Sequence, residues 1–320
     1  MLRLDIGQFS HAGRKRSHNE DWLGAFQPED PARLAHKGRL FLVADGMGGH
    51  RGGELASRRA VDRAIRAYVD DPDADPGQSL RRAITEANAA LHAQTAGEEG
   101  RERWGTTLVA AVVRGDELWI ANVGDSRAYL LRDGQLRQLS RDHSLAAEIG
   151  VSARENWIGR HVITRALGRK PEVEVDVFAP LRLRVGDRIL LCSDGLTTPL
   201  SDDEIGAIAG RGAPQAAAEA LVQAANERGG PDNISVILIA VTGREKGASS
   251  LLTGKGLRWP ILLAMALLFA LAVVGLGFVL GLLIFHKLPG AGHLPGSEWL
   301  IPTQTCTGRH LLLPIQCPAL

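Results

Sequence analysis

Cysteine is scarce in this chain, with 3 among 320 residues, and so few exclude a disulfide-stapled scaffold. Excess charge is missing too. A net charge of +1, with basic residues scattered rather than striped, excludes a nucleic-acid face, so no nucleic-acid partner is expected. The opening Met1-Leu2-Arg3-Leu4-Asp5 has no apolar core of signal-peptide length, and the body of the protein is expected in the cytoplasm. Gly46 to Gly53 is glycine-rich, yet no Lys-Ser/Thr follows, which excludes a nucleotide P-loop. One long stretch lacks charge altogether. From Trp259 to Phe285 only uncharged, mostly apolar residues occur, and a bilayer crossing needs about 20 of them in a helix. A buried core helix is the competing reading, but this run is apolar on every face. Arg244, Lys246, Lys255 and Arg258 precede it and only Lys287 follows closely, which places its N-terminal side in the cytoplasm.

What is present divides the chain into four parts. Residues 1–243 alternate strand-like and helix-like runs, 244–258 form a Gly/Ser/Lys/Arg-rich linker, 259–285 is the expected transmembrane helix, and 286–320 is an extracytoplasmic tail. Gly277 and Gly281 could pack two such helices together or simply loosen one; in the tail, Cys306 and Cys317 could pair. Strands are expected at 3–9, 39–44, 106–113, 117–123, 127–131, 173–178, 188–192 and 234–241. Arg132-Asp133-Gly134-Gln135 reads as a hairpin turn. Two helices fall between the second and third strands, the second with Leu80, Ala83, Ile84, Ala87 and Leu91 on one face. Further helices are expected at 201–209, opened by a Ser201/Glu204 capping box, and at 213–228. From Asp142 to Arg160 a short helix and then a mobile flap are expected. Strands in runs and helices in pairs favour antiparallel sheets covered by helices over a doubly wound parallel fold.

The chemistry lies at strand ends. Phe41-Leu42-Val43-Ala44 runs into Asp45 and the turn Gly46-Met47-Gly48-Gly49. Leu118 to Val123 leads to Asp125, Arg188 to Cys192 leads to Asp194, and Asp232-Asn233 opens the strand from Ile234. Aspartates gathered in one pocket cannot all ionise without compensation. Either some are protonated, or divalent cations lie between them. Carboxylates and carbonyls are hard ligands that suit Mg²⁺ or Mn²⁺, and no His or Cys stands at these strand ends in zinc-like spacing. Two ions bridged by one carboxylate would activate a water for in-line attack on phosphorus. In Arg16-Ser17-His18-Asn19-Glu20-Asp21, a guanidinium able to fork onto phosphate oxygens precedes two further acids. Read alone, that segment is a charged surface turn; beside the strand-end acids it reads as part of the site. Cys192 is not followed by the arginine that a cysteine-dependent phosphatase loop needs, and reads as core.

Arg16 with Asn19-Glu20-Asp21, Asp45-Gly46-Met47-Gly48-Gly49, Gly105-Thr106-Thr107, Gly124-Asp125-Ser126-Arg127, Ser193-Asp194-Gly195 and Asp232-Asn233 stand in order along residues 1–243. This order resembles the PPM/PP2C-type serine/threonine protein phosphatases, bacterial members in particular. The resemblance implies an α+β fold, an αββα sandwich of two antiparallel sheets, with two Mn²⁺ or Mg²⁺ ions acting on phosphoserine and phosphothreonine proteins. By position, Asp45 would bridge both metals. Asp194 and Asp232 would ligate the first, Glu20 and the Gly46 carbonyl the second, with Asp21 on metal-bound water. Arg16 would clamp phosphate, and Asp125 with Asp194 matches a third-metal position. A membrane-anchored layout resembles the bacterial phosphatases that oppose transmembrane Ser/Thr kinases, so a kinase, its substrates and the inner membrane are the expected partners.

Two departures stand out. Many relatives carry an Asp where this chain has Thr198, which would weaken or abolish a third metal. Eukaryotic members place a histidine where this chain has Met47, which leaves the leaving-group acid unassigned. His50 and His143 are read as solvent-facing or structural. A non-catalytic, phosphoprotein-binding or signalling module of the same fold is the alternative; Glu20, Asp45, Asp194 and Asp232 favour the enzyme, since a binding module needs no such set.

Overall fold

A computed structural model describes residues 1–48, 51–95, 104–150 and 162–244, together with Leu267. The N-terminal half runs β1 (Leu2–His11), β2 (Asp21–Phe26), α1 (Pro31–Lys37), β3 (Arg39–Met47), α2 (Arg51–Asp70) and α3 (Pro76–Thr95). It continues with β4 (Gly105–Thr106), β5 (Leu108–Arg114), β6 (Glu117–Val123), β7 (Arg127–Arg132), β8 (Gln135–Gln138) and α4 (Leu145–Ile149). After that come β9 (Asp176–Arg182), β10 (Arg188–Cys192), α5 (Asp194–Thr197), α6 (Asp202–Ala209), α7 (Pro214–Glu227) and β11 (Ile234–Arg244). All of these fall in one compact unit, Met1–Ala248.

The strands form two sheets with every pairing antiparallel. One is ordered β1-β11-β10-β7-β8, the other β2-β3-β5-β6-β9, with β4 adding to β3. Their central strands are apolar on both faces because each face meets a different layer. In β3, Leu40, Leu42 and Ala44 pack with Ala60, Ile84 and Leu91 of α2 and α3. Phe41 and Val43 point the other way, to Ile189, Leu191, Ile237 and Ile239 of the facing sheet. In β11, Ile234, Val236 and Leu238 instead meet Ala218, Leu221 and Val222 of α7. Three apolar seams therefore separate four layers, helices outside and sheets within, as expected from the sequence.

The capping box at Ser201 and Glu204 opens α6 as expected, and α4 supplies the short helix after Asp142. The turn after β7 takes positive φ at Asp133 and Gly134, the backbone a two-residue hairpin loop requires. Elsewhere the expectation needs correction. β2 and α1 were absent from the expected elements, and the strand expected at 173–178 forms at Asp176–Arg182. The burial of β2 is half-hearted, with four of its positions intermediate, so its alternation is blurred in the sequence. The expected flap beyond α4 and the run 259–285, Leu267 excepted, lie outside the described residues. Among the described residues, no helix is long and apolar enough to cross a membrane.

Candidate metal centre

Both sheets deliver acids to one cleft. Asp21 opens β2 directly opposite Asp45 on β3, so their side chains share a face by register. Asp194 starts α5 just after β10, and Asp232 precedes β11 in the other sheet. Arg16, Glu20, Asp45, Gly46, Asp194 and Asp232 line a cleft of about 750 Å³, with Met47, Ile163 and Thr198. Asp125 and Asp194 face a neighbouring cavity of about 620 Å³ behind it, so Asp194 and Thr198 form the wall between the two.

Asp45 is held through its backbone. The Asp45 amide donates to Thr107 Oγ1 at 3.0 Å, and the Asp45 carbonyl accepts from the Thr107 amide at 2.9 Å and Thr106 Oγ1 at 2.8 Å. That gives a structural role to the Gly105-Thr106-Thr107 motif, which the sequence left without one. Asn233 accepts from the Glu20 amide at 2.8 Å and donates to the Ala12 and His18 carbonyls, also at 2.8 Å, pinning the turn that carries Arg16. Ser193 Oγ donates to Asp21 Oδ2 at 2.8 Å and accepts from the Ser235 amide at 3.0 Å. Sequence reasoning missed this scaffold of small polar residues. The available signal was a serine beside Asp194 and an asparagine beside Asp232, at Ser193 and Asn233.

Glycines make the close approach possible. A Cβ on Gly46 would stand 2.1 Å from the Gly53 carbonyl oxygen, and one on Gly53 would stand 2.0 Å from Glu20 Oε2. The start of α2 thus leans on the Glu20 carboxylate. Gly53→Ala is expected to displace that carboxylate and to weaken one metal site about 10- to 100-fold, as loss of a neighbouring support does. Stability should hardly change, because alanine favours the helix by about 1 kcal/mol over glycine. Manganese titration calorimetry beside thermal denaturation checks both halves.

The electrostatics match an acid cluster closed in by protein. Burial pushes the Asp21 carboxyl up to about 7; Asp194 and Asp232 add to this, while the Ser193 and Ser235 hydroxyls work against it. Burial and then Asp194 and Asp142 push Asp125 up to about 8. Asp45 is part-exposed toward the cleft, yet protein encloses its carboxylate elsewhere. Burial, with Asp21, Asp194, Asp125 and Asp232 around it, raises it well above the usual range. Arg16 reaches into the same cleft and pairs with Asp232 at 2.8 Å.

Whether hard divalent ions fit here can be judged from the donors themselves. Asp21 Oδ1 and Asp125 Oδ1 are buried without a hydrogen-bond partner, which is costly unless a cation or water completes them. The donor set of Glu20, Asp21, Asp45, Asp125, Asp194 and Asp232 offers oxygen alone, as Mg²⁺ and Mn²⁺ prefer. Among the described residues, no group of three or more His, Cys, Asp or Glu side chains is spaced as a ready-made cage for a metal ion. Mg²⁺ needs no such cage, since it keeps several waters and takes one or two carboxylates. The residues fit.

His143 is buried and hydrogen-bonded at both ring nitrogens, consistent with the structural reading, whereas His50 lies outside the described residues. Cys192 is fully buried, and burial pushes its thiol up to about 12, as expected of core rather than of a nucleophile.

An oxygen-only acid pocket between two antiparallel sheets, with an arginine at its mouth, is the arrangement of a metal-assisted phosphohydrolase. Residues 11–234 match the protein phosphatase 2C family. The serine/threonine phosphatase stp of Listeria welshimeri is 37% identical over 246 residues, which is 73% of this chain and 95% of that one. The Mycobacterium tuberculosis serine/threonine protein phosphatase PstP is 36% identical over 257 residues, 77% of this chain and 46% of PstP. The crystal structure of the PstP catalytic domain in complex with two manganese ions superposes with a TM-score of 0.64 at 35% identity, covering 76% of this chain and all of that one. This chain belongs to the protein phosphatase 2C family and is an enzyme of that class.

Proposed function

We propose that this enzyme hydrolyses phosphoserine and phosphothreonine in proteins, using two Mn²⁺ or Mg²⁺ ions. The observation that carries the reading is the set of acids that line one cleft, Glu20, Asp45, Asp194 and Asp232, with Asp45 raised by burial and by the neighbouring Asp21, Asp194, Asp125 and Asp232. A cluster so costly to ionise gains most when cations share it. Asp45 would hold both ions, Asp194 and Asp232 would serve one, and Glu20 with the Gly46 carbonyl the other. Asp21 would orient bound water, and Asp125 with Asp194 would offer at most a weak third position beside Thr198. When bound, such ions supply an activated water and neutralise charge on the phosphoryl group. Arg16, swinging from Asp232, would fork onto two phosphoryl oxygens and align the phosphorus. The two-manganese PstP domain and the phosphatase names of the relatives support this reading.

Manganese-dependent release of phosphate from a phosphothreonine peptide by the full chain tests it. No release at any manganese concentration would favour a binding module of the same fold. Arg16→Ala is expected to raise KM for the peptide about 10-fold or more, as loss of a charge-assisted hydrogen bond does, while manganese affinity holds or tightens once Asp232 is freed. Weaker manganese binding in that variant would count against the clamp.

The setting belongs to the same proposal. The uncharged run 259–285 is read as a single-pass anchor in a bacterial inner membrane, with the phosphatase unit in the cytoplasm opposing a Ser/Thr kinase. Its one described residue, Leu267, is helical and exposed. Fractionation of cells checks this: the full chain should sediment with membranes and a chain ending at residue 248 should not.

A further inference from the structure

One buried histidine grips the turn that leads into Asp125. The His143 amide donates to the Gly124 carbonyl at 3.0 Å, and the Gly124 amide donates to His143 Nδ1, also at 3.0 Å. Gly124 has φ +106°, and a Cβ there would stand 2.6 Å from the Thr107 side chain. The glycine is thus pressed between His143 and the residue that holds the Asp45 backbone. The other ring nitrogen, Nε2, lies 3.1 Å from Asp176 Oδ2 at the start of β9. Asp176 Oδ1 accepts from Arg165 Nη1 at 2.9 Å. The His143 carbonyl accepts from the Thr164 amide at 2.9 Å, and the Leu145 amide donates to the Val162 carbonyl at 2.9 Å. Those two bonds set the 162–165 segment against the cleft, where Ile163 lines the wall.

The hydrogen bonds assign the tautomer. Nδ1 accepts an N–H and so carries no proton, which leaves the ring proton on Nε2 for Asp176. Arg165 Nη1, 3.4 Å from Nε2, therefore faces another donor there and spends its bond on Asp176.

We propose that His143 is a positioning residue for the phosphatase reaction. Through Nδ1 it fixes the turn that aims Asp125 and Asp45, and through Nε2 it anchors the 162–165 wall on which the substrate chain rests. It touches neither phosphate nor metal. The proposal rests on the phosphatase reading above, and its two halves separate by substitution. The Oδ1 of an asparagine reaches where Nδ1 stands; the Nε2 of a glutamine reaches where the ring Nε2 stands.

Full-length wild type, His143→Asn and His143→Gln are compared with p-nitrophenyl phosphate and a phosphothreonine peptide in manganese. His143→Gln is expected to lose kcat about 10- to 100-fold on both substrates. His143→Asn should raise the peptide KM about 2- to 10-fold, with a smaller loss of kcat. Wild-type kinetics in both variants, or equal losses in both, overturn the proposal. Nitrogen NMR of metal-free wild type labelled with ¹⁵N-histidine reads the tautomer whether or not the variants fold. An Nε2–H ring with bare Nδ1 is expected at neutral pH; an Nδ1–H or doubly protonated ring overturns the proposal. Wild type that hydrolyses neither substrate sinks the phosphatase reading and the catalytic role with it, while the tautomer still decides how Gly124 is held.

Discussion

Full-length Asp45→Asn is expected to lose manganese-dependent peptide hydrolysis by about three orders of magnitude. Metal charge stabilisation is worth several kcal/mol at the transition state, and each ~1.4 kcal/mol is tenfold in rate. On the proposed reading Asp45 would be the carboxylate shared by both ions, a role its neighbours on the cleft would not fill. The bonds from Thr106 and Thr107 use its backbone, and asparagine keeps the shape, so β3 and its register should survive. The variant also removes one charge from a crowded cluster in which burial, Asp21, Asp194, Asp125 and Asp232 all disfavour ionisation. Without metal it should be at least as thermally stable as wild type. Loss of activity with retained stability separates a ligand from a structural prop, and a variant that keeps more than about a tenth of the activity contradicts the bridging role.

The second large effect is on stability against pH. In the metal-free protein, Asp21 at about 7, Asp125 at about 8 and a raised Asp45 bind protons more tightly when folded than when unfolded, where carboxyls titrate near 4. Between about pH 4 and pH 8 the folded state therefore holds more protons, and stability must fall as pH rises. The contribution of these groups is fully present below about pH 4 and is lost as pH climbs through 7 to 8. Manganese held by this cluster would reverse the trend, because it would favour the ionised form. At 100 times its Kd it adds about 2.7 kcal/mol, which in a domain of this size lifts Tm by about 5 to 10 °C. The metal-induced gain should be larger at pH 8 than at pH 5.5. Thermal denaturation in chelator and in manganese at both values decides it, and a gain that is equal at the two contradicts the acid cluster as the binding site.

Much of the layered fold was legible because the central strands are apolar over most of their length, while α3 carries its contacts at steps of three and four. Where burial was partial, the signal failed. β2 has one buried position and a mixed remainder, so no alternation marked it; α1 is a surface helix whose buried residue, Lys37, is polar in type. The acids of the site were legible because each breaks an apolar run at its end, at Asp45, Asp125 and Asp194. What the sequence could not convey was how they are held. Gly53 matters only because it stands beside Glu20, and Asn233 and Ser193 only because distant loops cross there. His143 is an ordinary histidine in the sequence; its two partners lie 19 residues away at Gly124 and beyond α4 at Asp176. Such contacts arise from long-range closure of the sheets, which no local period encodes.

The most direct measurement is anomalous diffraction from crystals of the protein grown in manganese. Two strong peaks are expected in the Arg16 cleft, sharing Asp45 between them, one beside Asp194 and Asp232 and the other beside Glu20 and the Gly46 carbonyl. An empty cleft, or manganese bound only elsewhere on the molecule, would contradict the centre as described.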